Sequence, residues 1–252
     1  MQPDKLTIHH LYADMMNMYG DRGNVISLRK RCEWRGMDVD VVDVNIGESI
    51  RPTGCDIFLF GGGQDREQAL LADDLSGTKG ADLRAIADDG GVVLGVCGGY
   101  QLMGHYYETA GGEKLPGLGI MDLHTEPAAD GEERLIGNVL MRVPDPEGGP
   151  EQEVVGFENH GGRTILDGAE PLGRVVAGHG NNGQDGTEGA RRNNAYGTYM
   201  HGSLLPKNPW LTDRLIQEAL RHAGYDGEIE PLDDGLEAAA FSSVAGRVRS
   251  RG

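Results

Sequence analysis

The chain has 252 residues, with 23 Lys and Arg against 40 Asp and Glu, a formal charge of −17 at pH 7. That balance excludes direct binding to nucleic acid or to an anionic membrane surface, both of which need clustered cations, and it favours solubility. Forty-one glycines predict many tight turns, and three scattered cysteines exclude a disulfide framework and any zinc-site spacing. The first residues (Met1, Gln2, Pro3, Asp4) carry no targeting pattern, and no apolar run nears the ~18 residues of a membrane span, so a cytoplasmic protein is expected.

Taken in order, residues 6–11 (LTIHHL) read as a first strand. Asn24 then caps a helix in which Val25, Leu28 and Cys32 share a face until Gly36. "MDVDVVDV" alternates as a strand through Val44, and "CDIFLF" runs straight into Gly61, Gly62 and Gly63. Helical spacing covers about 66–75 and 81–88. "GVVLGV" has the continuous apolar look of a central parallel strand, and a helix is expected to pack behind it from Gln101. Alternating strands and helices predict a parallel sheet with its ligand site at the carboxyl ends of the strands. The second half differs: "GLGIMDL", "RLIGNVLMRV", "EVVGFEN", "RTIL" and "GRVVAG" read as short antiparallel strands. "PWLTDRLIQEALRHAG" is the one clear late helix, ended by Gly224. The chain thus divides into a domain over 1–225 and an expected flexible tail over 226–252 that ends in Arg247, Arg249 and Arg251.

The chemistry concentrates in "VVLGVCGGYQLMG". Gly95, Cys97 and Gly99 fill the frame of a nucleophile elbow, in which a strand turns sharply into a helix and presents the nucleophile. The glycines admit the close approach of strand and helix, and the first helical N–H groups favour a thiolate. Cys32 and Cys55 lie where packing explains them. A cysteine nucleophile needs a base: His201, at the end of the strand-like "NNAYGTYM", ranks ahead of His160 in "GFENHGGRT". An oxyanion hole is expected from the N–H of Gly98, with a second donor from the glycine loop at Gly62 or Gly63. The loop lacks the Gly-Lys-Ser/Thr ending of a phosphate cradle.

With these residues assembled, "GVCGGYQLMG", "GFENHGGRT" and "YGTYMHGSLL" resemble the class I (triad-type) glutamine amidotransferases of the cobyric acid synthase-like branch, in order and spacing across about residues 6–222. "YADMMNMYGDRGN", "FGGGQDREQ", "RLIGN" and "GNNGQDGTEGARRNNAYGTYMHGSLLPKNP" resemble its GatD-type members, the glutaminase subunits of lipid II isoglutaminyl synthase. The resemblance implies an α/β fold with a central, mostly parallel sheet flanked by helices and antiparallel strands in the second half. It implies that Cys97 attacks the side-chain amide of glutamine, that His201 assists proton transfer, and that water releases glutamate from the thioester. Arg134 matches the glutamine-binding arginine, whose guanidinium suits a carboxylate, and Gln101 is the second substrate-binding candidate. Many class I enzymes follow the histidine with Pro-Glu; here Gly202 and Ser203 follow His201, which leaves the third catalytic member unassigned.

The resemblance also implies a partner. Released ammonia needs an activated carboxylate, and the chain has no phosphate-binding lysine motif and no metal site, so ATP and Mg are expected on another subunit. In the GatD-type family that subunit is the Mur ligase-like MurT, and the pair amidates the α-carboxyl of D-glutamate in the lipid II stem peptide. Three other readings stand beside this one: a cobyrinate-type acceptor, a scaffold without catalysis, and a γ-glutamyl peptidase on the same fold.

Overall fold

The computed structural model describes residues 5–17, 20–145, 148–201 and 204–250. The first half runs β1 (Lys5–Leu11), α1 (Arg22–Glu33), β2 (Asp38–Val44), β3 (Asp56–Phe60), α2 (Asp65–Ser76), α3 (Thr78–Asp88), β4 (Val92–Val96) and α4 (Gly98–Leu102). Strands β5 (Tyr106–Glu108), β6 (Lys114–Pro116), β7 (Leu123–Pro127), β8 (Leu135–Val143), β9 (Gln152–His160) and β10 (Gly162–Leu166) follow. The chain continues through β11 (Gly173–Ala177), β12 (Thr187–Glu188), β13 (Ala190–Arg192) and β14 (Ala195–Thr198) to α5 (Leu204–Lys207), α6 (Pro209–His222) and α7 (Gly235–Arg249).

The main sheet has the order β13-β14-β4-β3-β1-β2, and every pairing from β14 to β2 is parallel. Strands β3 and β4 are buried along their whole length, which explains why their sequences are continuous apolar runs while the edge strand β2 carries exposed aspartates. The remaining strands form two smaller sheets, β10-β7-β5-β6 and β12-β11-β8-β9, in which all pairings but β5 with β7 are antiparallel. Strand β14 returns from this region to lie beside β4, with Thr198 opposite Val96. The mixed α/β class and the change of character at mid-chain agree with the sequence reading.

Four local expectations are corrected. The cap of α1 is at Asp21 rather than Asn24; Asn24 lies inside the helix, where its buried side-chain oxygen accepts the Leu205 N–H at 2.9 Å. The helix expected from Gln101 begins at Gly98 and ends at Leu102, because Gly104 packs so closely on Leu123 that an added Cβ would stand 2.6 Å from its carbonyl oxygen. "GLGIMDL" becomes a strand only from Leu123. The expected flexible tail instead carries α7, whose Ala245 and Val248 are buried against Leu140 of β8 and Val155 of β9. Its N-cap is tied down by Arg31, which donates to Asp234 (2.6 Å) and to Asp213 of α6 (2.7 Å). The alanine-rich sequence hides this because only the i, i+3 pair at 245 and 248 is deeply buried.

Glycine at the elbow is a packing requirement. A Cβ on Gly99 would stand 2.4 Å from the Phe60 carbonyl oxygen, and one on Gly95 would stand 3.0 Å from the Tyr100 nitrogen. Both obstacles are backbone, which cannot move without shifting β3 or α4. Gly99→Ala is therefore expected to lower unfolding free energy by about 1–3 kcal/mol or more, measured by urea denaturation.

Candidate active site

Cys97 sits between β4 and α4 with φ +49° and ψ −104°, a conformation that non-glycine residues rarely adopt. Its N–H donates to the Thr198 carbonyl of β14 (2.8 Å), and its own carbonyl accepts the Gln101 N–H (2.9 Å). These bonds hold the thiol, 8% exposed, at the floor of a cavity of about 960 Å³. Because α4 has only five residues, the local N–H groups matter more here than a helix dipole.

His201 lies three residues beyond β14, and its N–H donates to the Phe157 carbonyl of β9 (2.7 Å). Its ring lies within hydrogen-bonding reach of Cys97 and sits 3.4 Å, Nδ1 to Oδ2, from Asp21. Both side chains are fully buried. Burial alone would lower the imidazole pKa, but the Cys97 sulfur and the Asp21 carboxylate outweigh it and push it up to about 10. The site favours an imidazolium between a sulfur and a carboxylate, the arrangement that activates a cysteine nucleophile. Positions 202 and 203, where the sequence departs from Pro-Glu, lie outside the described residues.

The acid is the residue the sequence reading did not assign. Asp21 stands within "YGDRGN" at the start of α1, where a carboxylate is ordinarily read as a cap. It makes no capping hydrogen bond; instead Oδ2 accepts the Gly62 N–H at 2.8 Å and faces His201. This corrects the expected role of Gly62, whose N–H is not open to an oxyanion. Gly62 is glycine for space, since a Cβ would stand 2.6 Å from the His201 ring. The Gly63 and Gly98 backbones lie close together, since a Cβ on Gly98 would stand 3.0 Å from the Gly63 nitrogen, and neither amide has an acceptor among the described residues.

His160 also lines the cavity but is turned away from the chemistry. Its ring is stacked on Tyr199 at 3.5 Å, Nδ1 is 2.8 Å from the Gly162 carbonyl, and Nε2 faces Glu158 at 3.7 Å. Burial, only partly opposed by Glu158, keeps its pKa low. Gln101 is buried at the cavity wall between Gln68, which donates to its oxygen (2.9 Å), and the Tyr199 hydroxyl, to which it donates (3.2 Å). Behind them Glu188 accepts the Tyr199 N–H (2.7 Å) and the Thr198 hydroxyl (3.0 Å). Burial outweighs these bonds and pushes its carboxyl up to about 8.

Arg134 reaches the same cavity from the residue before β8. It donates to the side-chain and main-chain oxygens of Asn159 (3.1 and 3.0 Å), and no carboxylate pairs with it among the described residues. A guanidinium oriented by neutral acceptors keeps its charge available for a substrate carboxylate. Among the described residues no cluster of three His, Cys, Asp or Glu is arranged to hold a metal, and no helix is long and apolar enough to cross a membrane.

Residues 7–209 match the model of the CobB/CobQ-like glutamine amidotransferase domain. The chain belongs to this family. It is 43% identical, over 94% of its length, to the lipid II isoglutaminyl synthase (glutamine-hydrolyzing) subunit GatD of Staphylococcus aureus (strain N315), 93% of which is covered. The subunit of the same name from Streptococcus pneumoniae (strain ATCC BAA-255 / R6) is 41% identical over 96% of the chain and 92% of its own length. Among solved structures, PurLQS from Thermotoga maritima superposes with a TM-score of 0.57 over 88% of this chain and 97% of that one. At 15% identity that likeness speaks for the fold alone. Membership makes the chain a glutamine amidotransferase and places it with the GatD-type members of the family.

Since Asp21 helps to hold the His201 proton, Asp21→Asn should lower the His201 titration midpoint towards the ordinary histidine range. Nitrogen-15 NMR of the labelled imidazole measures this; an unchanged midpoint would remove Asp21 from the site.

Proposed function

We propose that the chain hydrolyses L-glutamine through a thioester on Cys97 and passes the ammonia to a separate ligase subunit. The observation that carries this reading is the buried row Cys97, His201, Asp21 at the carboxyl ends of the parallel strands. The thiol gives its proton to His201, and the sulfur attacks the amide carbon. The tetrahedral oxyanion is met by the Gly98 and Gly63 N–H groups, and His201 returns the proton to the departing ammonia. Water, deprotonated by His201, then cleaves the thioester to glutamate. Arg134 receives the α-carboxylate of glutamine, and Gln101, locked by Gln68 and Tyr199, lines the path of the side chain.

Support for the acceptor comes from the relatives rather than from the cavity. The two GatD proteins are matched over nearly their whole length, and their name makes each a subunit of a lipid II isoglutaminyl synthase. Their naming as subunits supports a partner, which we take to be a Mur ligase-like (MurT-type) subunit that holds ATP and Mg and activates the α-carboxyl of D-glutamate in the lipid II stem peptide. Ammonia from this chain converts it to D-isoglutamine, a step of cell-wall synthesis at the cytoplasmic face of the membrane.

With the ligase subunit present, Cys97→Ala should abolish glutamate release from glutamine; release that survives it would overturn the thioester route. Arg134→Ala removes a charged hydrogen-bonding partner of the substrate and should raise KM for glutamine by roughly 10–100-fold with a smaller change in kcat, corresponding to about 1.5–3 kcal/mol. A fall in kcat at unchanged KM would contradict its assignment to binding.

A further inference from the structure

The helix that starts at the catalytic acid has an outward row with no cover. Along α1 and its C-terminal residue, Arg22, Ile26, Arg29, Lys30 and Trp34 are exposed at i, i+4, i+7, i+8 and i+12. Ile26 and Trp34 are 53% and 59% exposed, and Leu236 at the start of α7 is 86% exposed. Ile26 and Trp34 border a cavity of about 200 Å³ together with Leu205, Pro206 and Pro209, with Lys30 and Glu237 also in its lining. Exposed tryptophan beside aliphatic side chains and a small pocket is the composition of a binding hot spot.

Charge narrows the occupant. The chain as a whole carries −17, yet residues 22–35 hold five cations (Arg22, Arg29, Lys30, Arg31, Arg35) and one acid (Glu33). Arg31 and Arg35 are held against Asp213, whereas Arg29 and Lys30 stay about half exposed and share the one acid Glu33, with Lys30 bordering the cavity. A basic surface would be drawn to the acidic remainder of the molecule; the exposed cations Arg22, Arg29 and Lys30 outnumber the single acid Glu33 on this row, which favours an apolar segment flanked by carboxylates.

The position of the groove connects it to catalysis. One wall is α1, whose N-cap is Asp21; the other is α5, which begins three residues after His201. The Leu205 N–H donates to Asn24 of α1 (2.9 Å), so the two walls are joined by a buried hydrogen bond. An occupant pressing on both walls bears on the elements that set the Asp21–His201 distance.

We propose that this groove is the docking surface for the ligase subunit, which inserts an apolar side chain ringed by carboxylates between Ile26, Trp34 and Leu205. The proposal rests on the partner reading above and names the surface it uses. The test measures binding of the full chain to the purified Mur ligase-like subunit of the same organism by calorimetry. Trp34→Glu and Ile26→Asp should each weaken Kd at least tenfold, while Val42→Asp, on the exposed edge strand β2, should leave it unchanged. Basal glutamine hydrolysis should be unaltered in all three, and saturating ligase subunit should restore the full coupled rate. Trp34→Ala serves if the glutamate variant does not fold.

Binding by the unmodified chain with an unchanged Kd in the α1 variants would overturn the docking site and leave the partner reading intact. A Val42→Asp variant weakened as much as the α1 variants would also overturn it, as a general surface effect. No binding by the unmodified chain would overturn both readings. Co-sedimentation with phosphatidylglycerol vesicles that Trp34→Glu abolishes, at unchanged ligase Kd, would give this face to a lipid surface instead.

Discussion

The backbone of Cys97 is the constraint on which the rest of the site depends. A positive φ at a residue with a side chain costs about 1–3 kcal/mol, and it persists only where the surroundings leave no alternative. Here β4 delivers the residue from one side, α4 leaves on the other, and the Thr198 carbonyl holds its N–H. Gly99 lies against the end of β3, its N–H donating to the Gly61 carbonyl at 3.0 Å. The strained turn thereby fixes the nucleophile against the two strands that flank β4.

The parallel strands of the main sheet supply the other site residues. The segment after β3 brings Gly62 and Gly63, the segment after β14 brings His201, and the long loop after β1 brings Asp21. Parallel strands place these connections at one edge of the sheet, so residues spread over 180 positions converge with little local distortion. Burial then sets the electrostatics. In water the Asp21 carboxylate would do little to a histidine 3.4 Å away; buried, with Cys97 beside it, it holds the imidazolium against desolvation. Glu188 and Tyr199 lock the end of β14 from behind, so the position of His201 does not rest on its own contacts alone.

Much of this was legible in the sequence, for identifiable reasons. The elbow reads because its glycines are required by backbone contacts, and the buried strands read because sheets covered on both faces leave no polar positions. His201 could be ranked above His160 because it ends a strand pattern that could return beside β4. Asp21 could not be read in this way. Its helix-start position offers capping as the ordinary explanation, and its true contacts, Gly62 and His201, lie 41 and 180 residues away in sequence. Gly62 was misassigned for the same reason, because an amide near a nucleophile reads as an oxyanion donor until its acceptor is known. The helix α7 was missed because its stability comes from the outer face of β8 and β9 and from Arg31, rather than from its own pattern.

The central claim is that one thiol, Cys97, in one cavity carries the chemistry. Its most direct test is peptide mapping by mass spectrometry after exposure to a glutamine-mimicking electrophile, with the ligase subunit present, and with and without excess glutamine. The account predicts a single adduct, on Cys97, suppressed by glutamine, with Cys32 and Cys55 unlabelled because burial pushes their thiols up to about 12 and about 11. An adduct on another residue, or labelling of Cys97 that glutamine does not suppress, would contradict it.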